Sequence, residues 1–372
     1  SSHFDSGIVP PPCEQALARE PSRSSCSSPM PEDAGPQWFR DNVSAPCESR
    51  FVTVEGCRIH YLAWRAARGD EATTTARRAG LVFLHGNAAH AHWWSFLAPF
   101  FAQEYDCIAV SWSGHGRSGW RDRYSYDLWA REVAAAAQDA ELLGGGRPRP
   151  ILVAHSMGAV VGAAVARQRG SALGGLLLLD ELPRPPEQVE WMLKNSLTPL
   201  IKPRTAHKVM SGAVSPSSRF RLVPPQPRRN EYLLDFVAEH SVTRAQGSNG
   251  WQWAFDPQKM EKMPPEEMFP RVYEGLYTAS ALRALGTRVS CIVGDSSVVC
   301  SGDVVEWNRG VLGLGVPVVV AHDAGHHIMF DQPLALVAAI QATLAEWSRP
   351  APAQDAADAP AASGTAPAGS PA

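Results

Sequence analysis

The chain has 372 residues, a formal net charge of −3, and apolar and charged fractions of 45% and 19%. These fractions are those of an ordinary water-soluble folded protein, and no basic run indicates a nucleic-acid partner. No apolar stretch approaches the ~20 residues that a membrane-spanning helix needs. The length would allow two domains, but α/β folds often extend well past ~200 residues as one unit.

Seven cysteines are scattered along the chain without C-x-x-C spacing. Cys107 and Cys291 fall inside predicted strands, and we expect them to be buried free thiols. This favours a reducing compartment, such as the cytoplasm or an organelle lumen, without identifying it. The chain starts at Ser1 rather than at a methionine, as expected of either a processed or a truncated end, and its first segment is a candidate remnant of a targeting sequence.

The two ends of the chain differ in composition from its middle. Residues 1–45 are rich in serine and proline, and residues 350–372 consist mainly of alanine, proline, glycine and aspartate. Neither segment carries an apolar pattern that could offset the entropy lost on ordering. Both are predicted to be disordered.

Between these ends, short apolar segments alternate with helical patterns. The first is a hairpin around Glu55-Gly56, and the further strands are predicted at residues 80–84, 107–112, 151–154, 175–179, 289–293 and 316–321. The helices are predicted at residues 90–103, 126–143, 157–166, 303–308 and 333–347. Strands that alternate with helices predict an α/β fold, a mostly parallel central sheet flanked by helices.

The alternation breaks between residues 184 and 285, where proline pairs and short amphipathic pieces occur. We therefore predict one α/β core made of residues 46–183 and 286–349. Residues 184–285 are predicted to form a helical cap inserted between two strands of that core.

A serine stands at the corner between one predicted strand and the next helix. The local sequence is Ala154-His-Ser-Met-Gly158, with Ser156 at its centre. In a G-x-S-x-G motif the serine lies on a sharp, strained turn that holds its hydroxyl clear of the sheet. Here the first glycine is an alanine, which adds one methyl group. Taken alone, the motif is equally compatible with an ordinary buried serine in a strand–helix turn.

Four motifs in the chain occur in the order typical of one family. They are His85-Gly-Asn87 with Trp94 downstream, Gly114-His-Gly-Arg-Ser118, Ala154-His-Ser-Met-Gly158, and Gly325-His326 followed by Asp331-Gln-Pro333. Over residues 50–348 the chain resembles the α/β-hydrolase family. The resemblance implies the α/β-hydrolase fold and a serine-centred catalytic site, and it does not identify a substrate.

A serine hydroxyl is a weak nucleophile at neutral pH and needs an adjacent base. By resemblance, His326 is that base, because the family pattern uses the histidine directly after the glycine; His327 is the competing candidate. The resemblance also places two oxyanion donors, each worth ~3 kcal/mol of barrier, at the backbone N–H groups of Asn87 and Met157.

The acid of the expected triad departs from the commonest family pattern. That pattern places an aspartate three residues beyond Gly294, where this chain has Ser297. Two candidates remain, and we prefer Asp180, at the end of the strand after the serine strand. Asp295 is the second choice, on the loop after Gly294 but two residues early. Glu181 is expected to make a surface or cap contact.

Several histidines raise the question of a metal site: His85, His90, His92, His322, His326 and His327. They lie on two loops and lack the acidic or cysteine ligands at the spacing usual for zinc. The sequence therefore predicts neither a metal nor another cofactor.

Aromatic residues of the predicted cap provide candidates for a substrate pocket. Trp251, Trp253 and Phe255 are predicted to line a pocket for a substrate with an apolar part; the alternative is that they are core residues. The sequence leaves the oligomeric state open.

Together these features predict a serine hydrolase that cleaves a carboxylic ester or lactone through an acyl-enzyme. Two alternatives remain: hydrolysis of a C–C bond in a diketone, which the same triad serves, and a small-molecule receptor on a hydrolase scaffold with little or no turnover.

Overall fold

The computed structural model describes residues 23–25, 34–65, 78–144, 146–194, 208–245, 247–313 and 316–349. Its eleven strands are β1 Arg23–Ser25, β2 Glu48–Val54, β3 Cys57–Trp64, β4 Gly80–Leu84, β5 Asp106–Ser111, β6 Ile151–His155, β7 Gly175–Leu179, β8 Val242–Arg244, β9 Trp251–Trp253, β10 Val289–Gly294 and β11 Val318–Ala321. Its ten α-helices are α1 Gln37–Val43, α2 Tyr126–Asp139, α3 Met157–Arg169, α4 Pro186–Lys194, α5 Pro216–Arg219, α6 Glu231–His240, α7 Ala279–Arg283, α8 Gly302–Leu312, α9 Ile328–Asp331 and α10 Pro333–Ser348.

Nine of the strands form one sheet in the order β1-β2-β3-β5-β4-β6-β7-β10-β11. β1, β2 and β3 pair antiparallel with their neighbours, whereas the six strands from β5 to β11 run parallel. β4, β6 and β7 are buried on both faces, which explains why they read as continuous apolar runs rather than alternating patterns. The carboxyl ends of parallel strands meet at one edge of the sheet, so the loops after β4, β6, β7 and β11 are brought together there.

The chain between β7 and β10 forms a separate set of short elements, α4 to α7 and the antiparallel β8–β9 pair. We call this segment the insertion. It packs on the sheet loops, for example where the Gly116 amide donates to the Ala254 carbonyl. Of the helices in the described ranges, none is long and apolar enough to cross a membrane.

The structure corrects the helix predicted at residues 90–103. Only two 3₁₀ turns form there, Ala91–Trp94 and Ala98–Phe100. Pro99 lies between the two ends of the predicted helix and cannot donate the backbone hydrogen bond that a continuous helix would require.

The prediction of a disordered segment over residues 1–45 is wrong for its last part. Residues 37–43 form α1, and the Phe39 side chain is fully buried. The Phe39 ring packs against the rings of Tyr232 and Phe236 of the insertion, at centroid distances of 5.0 and 5.8 Å. Burial of one large aromatic side chain stabilises this short helix, which its sequence alone does not predict. Most of residues 1–33, and the predicted disordered tail at 350–372, lie outside the described residues.

The cysteines in the described ranges are of two kinds. Cys107 and Cys291 are buried free thiols, as predicted from their places in strands. Cys47 is disulfide-bonded. No prediction was made for Cys47, and its disulfide counts against the reducing compartment that was inferred from Cys107 and Cys291, because disulfides persist mainly in oxidising environments.

Candidate active site

Ser156 connects β6 to α3 at a strained corner. Its backbone has φ 54° and ψ −129°, a conformation that residues with a Cβ rarely adopt. The strand and helix cross so closely here that a Cβ on Gly158 would lie 2.5 Å from the His85 carbonyl oxygen. Ala154, in place of the first glycine, is accommodated because its methyl group faces Gly162. The corner is thus built as the serine motif predicts.

His326 lies in the loop after β11 and contacts the serine. Its Nε2 is 3.0 Å from the Ser156 Oγ, and its Nδ1 is 2.7 Å from the Asp180 Oδ2. A carboxylate can only accept, so Nδ1 carries the hydrogen and Nε2 presents a lone pair to the serine hydroxyl. Such a nitrogen can accept the serine proton.

Asp180 follows β7 directly and is completely buried. Its backbone is in the left-handed region, with φ 49°, which turns the side chain towards His326. Besides His326, its carboxylate accepts from the Gly294 amide at 2.8 Å and from the Ser297 hydroxyl. The buried charge is therefore met by three donors, as a carboxylate removed from water requires.

Asp295, the second choice for the acid, has a different role in the structure. Its carboxylate accepts from the backbone amides of Asp323 and Ala324 and lies 3.3 Å from the His322 Nδ1. These contacts connect the loops after β10 and β11, and no hydrogen bond between Asp295 and His326 occurs within the described residues.

Sequence reasoning missed the contribution of Ser297. Its hydroxyl donates to Asp180 and accepts from the backbone amides of Val299 and Cys300, at 3.0 and 3.1 Å. Residue 297 is where the commonest family pattern has its acid. In this chain it is a serine that donates a hydrogen bond to Asp180, the acid at the end of the neighbouring strand. The signal was present in the sequence, because a serine at that position can hydrogen-bond a carboxylate although it cannot replace one.

Glu181 fixes the chain next to Asp180. It is buried, pairs with the Arg184 guanidinium at 3.0 Å and accepts from the Tyr273 hydroxyl at 2.8 Å. The Tyr277 hydroxyl donates to the Glu181 carbonyl. Both tyrosines belong to the insertion, and Glu181 is buried rather than at the surface.

The two predicted oxyanion donors lie next to the serine, one at the start of α3 and one on the loop after β4. Met157 is the first residue of α3, where helix amides have no acceptor within the helix. Asn87 follows Gly86, whose backbone passes so close that an added Cβ would lie 3.2 Å from the Ser156 Cβ. The assignment of these amides as oxyanion donors remains a prediction.

The three aromatic residues predicted to line a pocket occupy different surroundings. Trp251 is buried within the insertion, and its indole N–H donates to the Val214 carbonyl at 2.8 Å. Trp253 is half-buried and packs on Phe220, which contacts Trp93 beside the site.

Phe255 is also half-buried, with the Lys259 ammonium 4.7 Å from its ring centroid. Trp253 is connected to the site through Phe220 and Trp93, and Trp251 contacts Trp253 at a centroid distance of 5.2 Å. The pocket itself remains a prediction.

The histidines considered for a metal separate into distinct groups. His85 stacks on Trp112 at a centroid distance of 3.7 Å, and His90 contacts the Ser241 hydroxyl. The structure instead brings His326 and His327 together with His155, whose ligand atoms all lie within 4.8 Å of one another. Burial, and next the neighbouring His326, lower the pKa of His155 and of His327 well below the ordinary value.

The chain is similar in sequence to a known protein family and to an esterase. Residues 81–340 match the model of a family described as the alpha/beta hydrolase family. An esterase of Mycobacterium tuberculosis, Rv0045c, is 25% identical over 270 residues, which cover 71% of this chain and 82% of that protein.

Two further comparisons cover different shares of the chain. The pimeloyl-[acyl-carrier protein] methyl ester esterase of Sodalis glossinidius is 31% identical over 112 residues, 30% of this chain and 40% of that protein. Among solved structures, a thioesterase domain from the curacin biosynthetic pathway superposes with a TM-score of 0.59 at 22% identity. That superposition covers 79% of this chain and 99% of the domain, and at this identity it shows the shared fold.

Proposed function

Because the chain belongs to the alpha/beta hydrolase family, we propose that it hydrolyses carboxylic esters or lactones through an acyl-enzyme formed on Ser156. The observation that carries the proposal is the hydrogen-bonded series Ser156–His326–Asp180. Each member comes from the end of a different strand or the loop after it, as the sheet topology requires.

The first step is acylation. His326 Nε2 accepts the hydroxyl proton as the Ser156 Oγ attacks the carbonyl carbon, and the carbonyl oxygen becomes an oxyanion. The backbone amides of Asn87 and Met157 are the proposed donors to that oxygen. The His326 imidazolium then protonates the departing alkoxide, which leaves as the alcohol, or stays attached when the substrate is a lactone.

Deacylation reverses these roles. His326 removes a proton from water, the hydroxide oxygen attacks the acyl carbon, and the Ser156 oxygen leaves and regains its proton. Asp180 holds the Nδ1–H tautomer of His326 throughout and stabilises its cation. The acid product then dissociates.

The substrate is proposed to be a small molecule with an apolar part. Trp93, Phe220 and Trp253 form a continuous series of ring contacts that leads away from the site. The two curated relatives described above carry esterase in their names, which supports ester cleavage. We further propose that residues 184–285 act as the cap over this pocket and that residues 46–183 and 286–349 form the catalytic core.

The experiment is a series of p-nitrophenyl esters of graded acyl length, with wild type and Ser156→Ala compared. We expect steady turnover by the wild type, lost in the variant, and covalent labelling of Ser156 by a fluorophosphonate. Labelling of Ser156→Ala at the wild-type rate would refute the assignment of the nucleophile. A product burst equal to the enzyme concentration without later turnover would instead favour the receptor alternative, and turnover of a diketone but no ester would favour C–C hydrolysis.

A further inference from the structure

One buried cation of the insertion lacks a partner of opposite charge. Lys259 is 3% exposed, yet its ammonium makes no hydrogen bond and no ion pair within the described residues. The other lysine or arginine residues buried to this extent in the same ranges are paired. Arg50 contacts Asp139 at 3.0 Å, and Arg184 contacts Glu181 at 3.0 Å. A buried charge is normally paired because its removal from water is costly, so Lys259 is an exception that needs an explanation.

The acidic residue three positions earlier, Asp256, already has other partners. Its carboxylate accepts from the Lys262 ammonium at 2.7 Å and from the Tyr124 hydroxyl at 2.8 Å. The Lys259 ammonium lies 4.7 Å from the centroid of the Phe255 ring, whose face attracts a cation without offering an oxygen acceptor. The three N–H donors of Lys259 therefore have no hydrogen-bond acceptor in the described part of the chain.

The Lys259 side chain carries a single positive charge among neutral groups. Burial lowers its pKa to about 8, and the charge of Asp256 opposes this shift, so the side chain remains mainly protonated at pH 7. Burial, and next the charge of Lys259, lower the pKa of His115 well below its ordinary value. Burial, and to a smaller extent Lys259, lower the pKa of His85 to about 3. Both imidazoles are therefore neutral beside the ammonium.

Backbone contacts fix the position of the segment that carries Lys259. The Gly116 amide donates to the Ala254 carbonyl at 2.6 Å, and the Asp256 amide donates to the Gly114 carbonyl at 2.9 Å. This part of the insertion is thus attached to the loop after β5, at the edge of the sheet where the strand ends converge.

That loop leads to the serine through the loop after β4. The ring centroids of His115 and His85 are 5.1 Å apart. His85 is followed by Gly86, where an added Cβ would lie 3.2 Å from the Ser156 Cβ. The Lys259 ammonium therefore lies beside the two loops that connect it to the serine, one of which carries a proposed oxyanion donor.

We propose that Lys259 is a specificity-determining residue that binds a carboxylate of the substrate, so that the ester cleaved at Ser156 belongs to a monoanionic molecule. The proposal rests on the proposed function and narrows its substrate class. One ammonium between neutral imidazoles balances one negative charge, which favours a carboxylate over a phosphate dianion. The carboxylate would accept from the N–H groups of Lys259 that have no other acceptor, and the Phe255 ring would contact the apolar chain between the carboxylate and the ester.

The test uses ethyl half-esters of straight-chain dicarboxylic acids of graded length, whose second carboxylate is the anion. Each half-ester is compared with the ester that has a carboxamide in place of the carboxylate, a neutral group of nearly the same shape. Hydrolysis by the full chain is followed by chromatography of the product acid. At the best chain length we expect kcat/KM of the wild type to be higher for the carboxylate ester by about 10- to 100-fold, as for a hydrogen bond to a charged group in a buried site.

Lys259→Met is the diagnostic variant, because methionine retains an unbranched side chain without the charge. It should bring the preference for the carboxylate ester close to one, mainly through a higher KM for that ester, with an unchanged or higher melting temperature because a buried charge is removed. Lys259→Arg keeps the charge and should keep part of the preference. Lys194→Met is the matched control, since the Lys194 side chain is 71% exposed and pairs with Glu190, and it should keep the wild-type preference.

Binding is measured separately from turnover by calorimetry on the full-length Ser156→Ala variant, with and without Lys259→Met. The carboxylate ester should bind more weakly to the double variant by about 10- to 100-fold, and the carboxamide ester should change much less. Lys259→Gln is a second diagnostic variant in case Lys259→Met does not fold, and melting curves decide which one is used.

Equal kcat/KM and equal binding for the carboxylate and carboxamide esters at every chain length would overturn the proposal, whatever the variants do. A preference that persists in the folded diagnostic variant, or an equal loss of both esters, would also overturn it. Binding of the carboxylate ester that depends on Lys259, without hydrolysis by the wild type, would support the carboxylate site and contradict the proposed function. Hydrolysis that depends on Ser156 but shows no such preference would do the reverse.

Discussion

The loops after β7 and β10 lie side by side, and each presents an aspartate at the same edge of the sheet. Asp180 is fully buried, has a left-handed backbone and contacts His326 at 2.7 Å. The Asp295 side chain is 34% exposed and binds backbone amides of the neighbouring loop. The two aspartate side chains are chemically identical and lie on neighbouring loops. Asp180 accepts a hydrogen bond from His326, whereas Asp295 accepts from backbone amides.

The difference lies in backbone direction and in the donors around each carboxylate. The left-handed turn at residue 180 points its side chain across the sheet edge, where the Gly294 amide and the Ser297 hydroxyl meet it. The histidines repeat the contrast, since the His326 side chain is 3% exposed and the His322 side chain 87%. In each pair, the buried residue belongs to the hydrogen-bonded series Ser156–His326–Asp180.

The largest expected effect comes from removing the Asp180 charge, and removal of the Asp295 charge is the comparison. Asp180→Asn should lower kcat on the order of 10⁴-fold, because an amide can stabilise neither the correct tautomer of His326 nor its cation. Asp295→Asn should change kcat by less than about threefold, because its role in the loops is structural. Steady-state kinetics with a p-nitrophenyl ester, together with melting temperatures, measure both effects. Near-normal kcat in Asp180→Asn with a large loss in Asp295→Asn would reverse the assignment.

Removing the hydroxyl that supports Asp180 should have a smaller effect on the same step. Ser297→Ala deletes one hydrogen bond to a buried charge, a type of bond worth about 1.5–3 kcal/mol. We expect kcat to fall by about tenfold with little change in KM. Ser301→Ala, which removes an exposed hydroxyl hydrogen-bonded to Asp303, is the control. A Ser297→Ala variant with lowered stability and unchanged kcat would show that the serine only shapes the loop.

Much of the site could be predicted from sequence because its residues are attached to strand ends. β6 and β7 are continuous apolar runs, so the positions of Ser156 and Asp180 relative to the sheet could be inferred before any contact was known. Parallel strand ends converge at one edge whatever the side chains do.

The parts that could not be predicted depend on contacts between distant segments. The helix α1 is stabilised by Phe39 packing against Tyr232 and Phe236, nearly 200 residues away. The support of Asp180 by Ser297 depends on side-chain directions on neighbouring strands. The contacts of His155 with the His326 carbonyl oxygen and of His327 with the Val223 carbonyl oxygen likewise join segments that are distant in the sequence.

Separate substitutions of Trp253 and Trp251 test whether the insertion contributes to a substrate pocket. Trp253→Ala should widen the proposed pocket and change the preference between short and long acyl esters several-fold, with a small change in melting temperature. Trp251→Ala should instead lower stability by about 3–5 kcal/mol, the usual cost of removing a buried indole, and change the chain-length preference less than Trp253→Ala does, through its ring contact with Trp253. If Trp253→Ala collapses stability without altering selectivity, Trp253 is a core residue and not part of a pocket.

The smallest expected effect is a dependence of stability on pH that arises from buried neutral histidines. Burial lowers the pKa of His60 and of His85 to about 3, with the charges of Arg117 and Arg58 contributing at His60. In the unfolded chain both would titrate near 6.5.

Above about pH 6.5 neither state binds these protons, so the folded state keeps its full stability. As the pH falls from there towards 3, the unfolded chain binds protons that the folded chain does not, and stability is lost progressively. We expect the melting temperature to drop by several degrees between pH 7 and 5.5, a range in which most carboxylates remain ionised. His60→Gln and His85→Gln should each reduce that drop, whereas His322→Gln, at an exposed position, should leave it unchanged. A melting temperature that is constant over this range would mean that these imidazoles accept protons in the folded state without cost.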